Sequence, residues 1–185
     1  MLKLLAQLIF FFSGWKLDPS SPRHIRRAVM IAAPHTSNWD IVYARAACEL
    51  LELPVKFTIK KEWVNSPIGL ILRPLGAIAI DRDYRNGKKV SMTQTMTELF
   101  GQHKELIVLV TPEGTRQYAP KWKTGFYRVA EGANVPVLLG YLDYQKKVAG
   151  VGPAMYPTGN MEADIKRIKD FYRTVVGRYP ERGIR

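Results

Sequence analysis

Three stretches of this chain are apolar with no polar alternation: AVMIAAP (28–34), AIAI (77–80) and LIVLVT (106–111). VKFTI (55–59) reads as a fourth strand closed in by Pro54. A strand that is apolar on both sides must be covered on both sides, and the usual way to cover it is a parallel sheet whose crossovers are helices. Helical spacing follows the first strand at once. Ser37 or Asn38 stands in capping position, and Ile41, Ala44, Arg45, Cys48 and Leu51 recur near the 3.6-residue period until Pro54. KKVSMTQTMTELFGQHK (88–104) predicts a second helix. A last helix follows PTGN, with Thr158 or Asn160 as cap and an inward stripe of Ile165, Ile168, Phe171, Val175 and Tyr179. VPVLLGYLDY (135–144) and KKVAGVG (146–152) add strands, expected as an antiparallel edge. The fold expected is therefore α/β, a mostly parallel central sheet with helices on both faces. At 185 residues it forms one domain.

The N-terminus, MLKLLAQLIFFFSGWKL, is apolar at ten of its first twelve positions. About 20 apolar residues are needed to cross a bilayer, so a conventional transmembrane helix is not expected, and no small-x-small cleavage site follows. Residues 1–17 are read as a retained membrane-interfacial helix, with Trp15 and Lys16 at the polar boundary, and residues 18–185 as the domain proper. The competing reading is a helix that packs on that domain. A net charge of +12, from 28 Lys and Arg against 16 Asp and Glu, favours a polyanionic partner, either nucleic acid or an anionic membrane surface. No RNA-recognition, helix-turn-helix or zinc-finger pattern is present, and the aromatics interleaved with basic residues in KWKTGFYR are the one hint of nucleic acid. A single cysteine, Cys48, excludes an internal disulfide, and the three histidines form no ligand-spaced pair.

In a parallel sheet, ligands gather where strands end and helices begin. Three polar clusters stand at such ends: PHTSNWD (34–40), DRD (81–83) and TPEGTR (111–116). A histidine accepts a proton from a hydroxyl when one ring nitrogen is free, and a carboxylate on the other nitrogen enforces that tautomer. Asp40 is the candidate partner for His35. Five residues apart on a regular helix they would diverge by about 140°, so His35 belongs in the turn before the helix. Arg82 and Arg116 carry planar donor forks suited to phosphate. In PEGT, Gly114 permits close backbone approach, Thr115 offers a hydroxyl, and Glu113 can orient an arginine or accept from a substrate hydroxyl.

In that order these blocks resemble the glycerolipid acyltransferase family typified by the lysophosphatidate (1-acylglycerol-3-phosphate) acyltransferases, over most of the chain. HTSNWD resembles the family's His-x-x-x-x-Asp block, KKEWVNSPIGLILRPLGAIAIDR (60–82) its second block, and TPEGTR its Phe-Pro-Glu-Gly-Thr-Arg block at five of six places. KWKTGFYRVA (121–130) is similar to the Lys-x-Gly-Phe segment and VPVLLG (135–140) to the fourth block. Thr111, Gln117 and Gly140 depart from the common pattern.

The resemblance implies a glycerol-phosphate acyltransferase-like αβ sandwich. It implies His35 as general base with Asp40 orienting it, Arg82 on the acceptor phosphate, and Glu113, Gly114, Thr115 and Arg116 in substrate binding. The activity implied is transfer of a fatty acyl group from acyl-CoA or acyl-carrier protein, as co-substrate, to a lysophospholipid hydroxyl, 1-acylglycerol-3-phosphate first among them. No cofactor or metal is expected. Backbone N–H groups at the start of the 38–52 helix are candidates for the oxyanion, and the 66–80 stretch is expected to help accommodate an acyl chain. The partners implied are the two substrates and an anionic membrane surface, at the cytoplasmic face of the cell membrane, with nucleic acid not expected. The alternatives are O-acylation of another lysolipid, such as one with an amino-acid headgroup, or a non-catalytic basic module on membrane or nucleic acid.

Overall fold

The structure, a computed structural model, describes residues 2–60, 62, 65–67, 69–72, 76–80, 84–85, 88–89 and 91–185. Nine strands, six α-helices and a short 3-10 helix (Pro180–Arg182) are described: α1 (Leu2–Ser13), β1 (Lys16–Leu17), β2 (Arg27–Ala32), α2 (Asp40–Leu50), β3 (Val55–Lys60), a single turn α3 (Gly69–Leu72), β4 (Ala77–Ile80), β5 (Tyr84–Arg85), β6 (Lys88–Lys89), α4 (Met92–Gln102), β7 (Leu106–Val110), α5 (Gly125–Gly132), β8 (Val137–Asp143), β9 (Val148–Met155) and α6 (Met161–Tyr172). Seven strands form one sheet in the order β1-β9-β8-β2-β7-β3-β4. From β8 to β4 all neighbours are parallel, while β9 runs antiparallel to β8. The architecture is the expected one, but β9 is not the edge. The short β1, read from the sequence as the tail of the first helix, pairs outside it.

Successive residues of β2, β7 and β8 supply the two faces of the sheet in turn, which is why these strands carry no polar alternation. Val29, Ile31, Leu106, Val108, Val137 and Leu139 join Phe100 of α4, Phe126, Tyr127 and Val129 of α5, and Ile168 and Tyr172 of α6 in the main core. Ala28, Met30, Ile107 and Leu138 face the other way, against Leu51 and Leu53 beyond α2. Helix α1 lies on α2, with Ala6 and Phe10 packed among Ala46, Ala47 and Trp15. Lys3 pairs with Glu52 past the end of α2 and Trp15 stacks on Tyr43 near its start, so the two helices run antiparallel.

Several local expectations are corrected. Helix α4 begins at Met92, with Ser91 accepting from the Gln94 N–H at 3.0 Å, while Lys88–Lys89 pair with Tyr84–Arg85 as a two-stranded ribbon. Asn160, not Thr158, caps α6, accepting from the Ala163 N–H at 3.1 Å. Of the predicted inward stripe, Ile168 and Val175 are buried and Ile165 and Phe171 pack on the core, but α6 ends at Tyr172 and Tyr179 is exposed. Tyr172, absent from that stripe, is fully buried. On α2 the buried positions are Asp40, Ala46, Ala47 and Cys48, whereas Ile41 points outward. KWKTGFYR, the hint of nucleic acid, instead leads into α5 and buries Trp122, Phe126 and Tyr127.

Helix α1 has two unlike sides. One packs on α2; the other exposes Leu4, Leu5, Leu8, Phe11 and Phe12. Trp15 is no boundary anchor: it is buried between Tyr43 and Tyr144. Among the described residues no helix is long and apolar enough to cross a membrane.

Candidate functional site

Strands β2 and β7 are registered Ile31 opposite Val110, so the turns that leave them lie side by side. Those turns are HTSNWD and TPEGTR. Pro34, after a cis peptide bond, directs the chain away from β2, and residues 35–39 stay outside the helix. Neither Ser37 nor Asn38 occupies the N-cap, which is Trp39. The Ser37 hydroxyl accepts from the Trp39 N–H at 3.2 Å, and Asp40 in the first helical turn folds back to accept from the Thr36 and Ser37 N–H groups, each at 3.0 Å. The same carboxylate oxygen, Oδ2, lies 3.0 Å from His35 Nδ1. The five-residue spacing thus works as the sequence required: a turn precedes the helix and doubles back onto its first residue.

An ionised carboxylate only accepts, so in the neutral ring Nδ1 carries the proton and Nε2 keeps its lone pair. Among the described residues nothing hydrogen-bonds Nε2. Burial pushes the Asp40 carboxyl up, but the hydrogen bonds from His35, Tyr144 and Ser37 outweigh it and hold Asp40 below the usual carboxylate range. Among the described residues the Tyr144 hydroxyl is the one donor to the other oxygen, Oδ1, at 2.6 Å.

Glu113 is 6% exposed and accepts from the backbone N–H of His35 at 2.7 Å. It therefore orients the histidine's backbone. Burial drives its carboxyl up to about 7, against smaller opposing effects of the His35 N–H and the ring. Gly114 has φ +64, and Lys123 Nζ stands 2.5 Å from where a β-carbon would be, so any side chain there would be strained and would displace the lysine. Thr115 Oγ1 accepts from the Gln117 N–H at 3.2 Å. The Arg116 guanidinium donates to the Asn38 side-chain carbonyl, which ties the two turns together on the exposed side. His35, Asp40, Glu113, Gly114, Thr115 and Arg116 are thus brought into adjoining turns. Arg82 and the DRD cluster lie outside the described residues.

Two contacts escape local reading: Tyr144 on Asp40, 104 positions away, and Lys123 over Gly114. The Lys-x-Gly-Phe block contained Lys123, but no spacing points to Tyr144. Arg178 is a third addition, its guanidinium 5.8 Å from the Trp39 ring centre, on a C-terminal segment held to the first turn by the Tyr179 N–H on Thr36 Oγ1 at 3.3 Å.

The His35 ring and Asp40 line a cleft of about 660 Å³ walled by Leu2, Leu5 and Ile9 of α1, Ile41 and Ala44 of α2, and Val55, Phe57 and Leu109 of the sheet. That volume falls in the range of about 300–1,000 Å³ typical of small-molecule sites. None of the described residues of the 66–80 stretch lines it. Cys48 also faces the cleft, but burial pushes its thiol up to about 11, so it stays un-ionised. Among the described residues no group of three or more His, Cys, Asp or Glu side chains is placed to hold a metal ion. A buried carboxylate, a histidine with one ring nitrogen committed to it, and an apolar cleft lined by both residues together suit deprotonation of a hydroxyl on an amphiphile.

No curated protein matches the chain. Among solved structures it is similar to the 1-acyl-sn-glycerophosphate (LPA) acyltransferase PlsC from Thermotoga maritima, with a TM-score of 0.59 and 17% identity, over 92% of this chain and 74% of that one. At such identity the likeness is one of fold. The model of the Acyltransferase family matches residues 18–138, which include both site turns. The chain belongs to the Acyltransferase family.

Proposed function

We propose that this acyltransferase moves a fatty acyl group from acyl-CoA or acyl-carrier protein to the free hydroxyl of a lysophospholipid, with 1-acylglycerol-3-phosphate as acceptor and phosphatidate as product. One observation carries the reading: the 3.0 Å contact of His35 Nδ1 with Asp40, at the edge of an apolar cleft of about 660 Å³. His35 Nε2 takes the hydroxyl proton as the oxygen attacks the thioester carbonyl. The C–O bond forms, the tetrahedral centre collapses with loss of the C–S bond, and the proton passes from His35 to the departing sulfur. No acyl-enzyme is needed.

Arg116, with Arg82, holds the acceptor phosphate, because paired guanidiniums match its oxygens. The cleft takes the acyl chain. Two N–H groups near the helix start, those of Thr36 and Ser37, are already spent on Asp40, so the oxyanion is stabilised by other donors. The exposed face of α1 seats the protein in the headgroup layer at the cytoplasmic face of the membrane, helped by the +12 charge.

Thiol release from palmitoyl-CoA with lysophosphatidate tests the proposal. His35→Ala is expected to lower the rate by about 10²- to 10⁴-fold, the usual share of a general base, with unchanged thermal unfolding. Turnover by His35→Ala at the wild-type rate would remove His35 from the mechanism.

A further inference from the structure

The two oxygens of Asp40 are unequally served. Oδ2 faces three donors, His35 Nδ1 and the Thr36 and Ser37 N–H groups, all at 3.0 Å. Among the described residues Oδ1 faces one, the Tyr144 hydroxyl at 2.6 Å. Three donors on one oxygen leave the carboxylate free to pivot about it; a fourth on the other oxygen fixes its plane. That plane decides whether Oδ2 points along the N–H of the imidazole.

Tyr144 is itself held from three sides. Its backbone N–H donates to the Val176 carbonyl at 2.9 Å. Its ring meets Trp15 edge-on, centroids 5.0 Å apart, and Tyr43 at 6.0 Å, while Trp15 and Tyr43 stack at 4.8 Å. Burial and the Asp40 bond both raise the phenol above its ordinary range, so it remains a donor at any working pH. A tyrosine needed only to pack would place its ring in this aromatic group without aiming the hydroxyl at a buried carboxylate.

We propose that Tyr144 is a positioning residue for acyl transfer: its hydroxyl locks Asp40 so that Asp40 holds His35 in the single tautomer with Nε2 free. The proposal rests on the reading of His35 as the base. Because the aromatic group contains Trp15, directly after α1, it also ties the seat of the apolar helix to the geometry of the dyad.

Tyr144→Phe keeps the ring and removes the bond. It is expected to lower kcat about tenfold, the order lost with a hydrogen bond to a charged group, with KM for both substrates unchanged and the protein still folded at the assay temperature. In ¹⁵N spectra of the uniformly labelled full-length protein, His35 is expected to show one neutral tautomer, protonated at Nδ1, and the Tyr144→Phe variant a mixture of two. Wild-type kcat together with an undisturbed tautomer in Tyr144→Phe would overturn the proposal. So would a kcat loss with the single tautomer of His35 intact, because Tyr144 would then act without positioning the ring. The tautomer is read without substrate, so it tests Tyr144 even if His35→Ala keeps its turnover and the proposed mechanism fails.

Discussion

On one face of the sheet, Phe100, Phe126, Tyr127, Ile168 and Tyr172 interdigitate with Val29, Ile31, Val108 and Leu139 in one continuous core. On the other, α1 and α2 meet the sheet in two smaller clusters and leave the cleft beside them open toward His35. The same strands feed both faces with side chains of similar size, so the difference comes from the helices. Helices α4, α5 and α6 bring aromatic rings. Helix α2 brings Ala44, Ala46, Ala47 and Cys48, and α1 turns two of its three phenylalanines, Phe11 and Phe12, to the outside and buries only Phe10. Close packing stabilises the first face, and its absence makes room for a ligand on the second. Polar groups follow the same division. Four of the seven buried polar side chains among the described residues, Thr36, Ser37, Asp40 and Glu113, belong to the two turns at the open face.

This contrast can be broken from either side. The largest effect expected is on the filled face: Phe126→Ala, at 4% exposure, should cost about 3–5 kcal/mol of stability, as large cavities do, read by urea unfolding. On the open face, Phe11→Ser with Phe12→Ser should leave urea unfolding unchanged, because the two rings are 79% and 81% exposed. Binding to anionic liposomes, followed by sedimentation, should drop roughly a hundredfold if both rings enter the lipid. Undiminished liposome binding would show that α1 does not insert.

Smaller still is the effect of filling the cleft. Ala44→Phe is expected to slow transfer from palmitoyl-CoA about tenfold, the order that separates a fitting from a crowded chain, while transfer from butyryl-CoA persists. Equal losses with both donors would move the acyl chain elsewhere.

The smallest effect is a slope. Glu113 titrates near 7 in the fold against a usual value of 4.5, so between those values the native state keeps a proton that the unfolded chain has lost. Stability from this group is full below the lower value, falls as pH rises through the window and is gone above the higher. Unfolding temperature measured from pH 4.5 to 7.5 should decline less steeply in Glu113→Gln than in the wild type.

The strands of the parallel sheet were legible because each is a short apolar run bounded by Pro, Gly or charge, and such patterns act within a few residues. The His35–Asp40 pair was legible for the same reason: the turn that joins them is encoded in six consecutive residues. Where the reading failed, local pattern and global packing disagreed. KWKTGFYR looked basic and aromatic, yet Trp122, Phe126 and Tyr127 join the core with β2, β7 and β8. Ile41 fits the helical period of α2 but stands at the open cleft and not in a packed core, so it is exposed. Trp15 looked like a membrane anchor and is instead clasped by two tyrosines.

By itself, then, the sequence determined the class of fold, the turn that pairs His35 with Asp40 and the apolar character of α1, all of which depend on neighbours along the chain. Only the tertiary structure decided that Glu113 would hold the backbone of His35, that Tyr144 would reach Asp40, and that a cleft would open between two helices and the sheet. Those contacts join residues 78 and 104 positions apart. Hydrogen bonds and cavities at that separation depend on how elements pack, and no periodicity within an element carries that information.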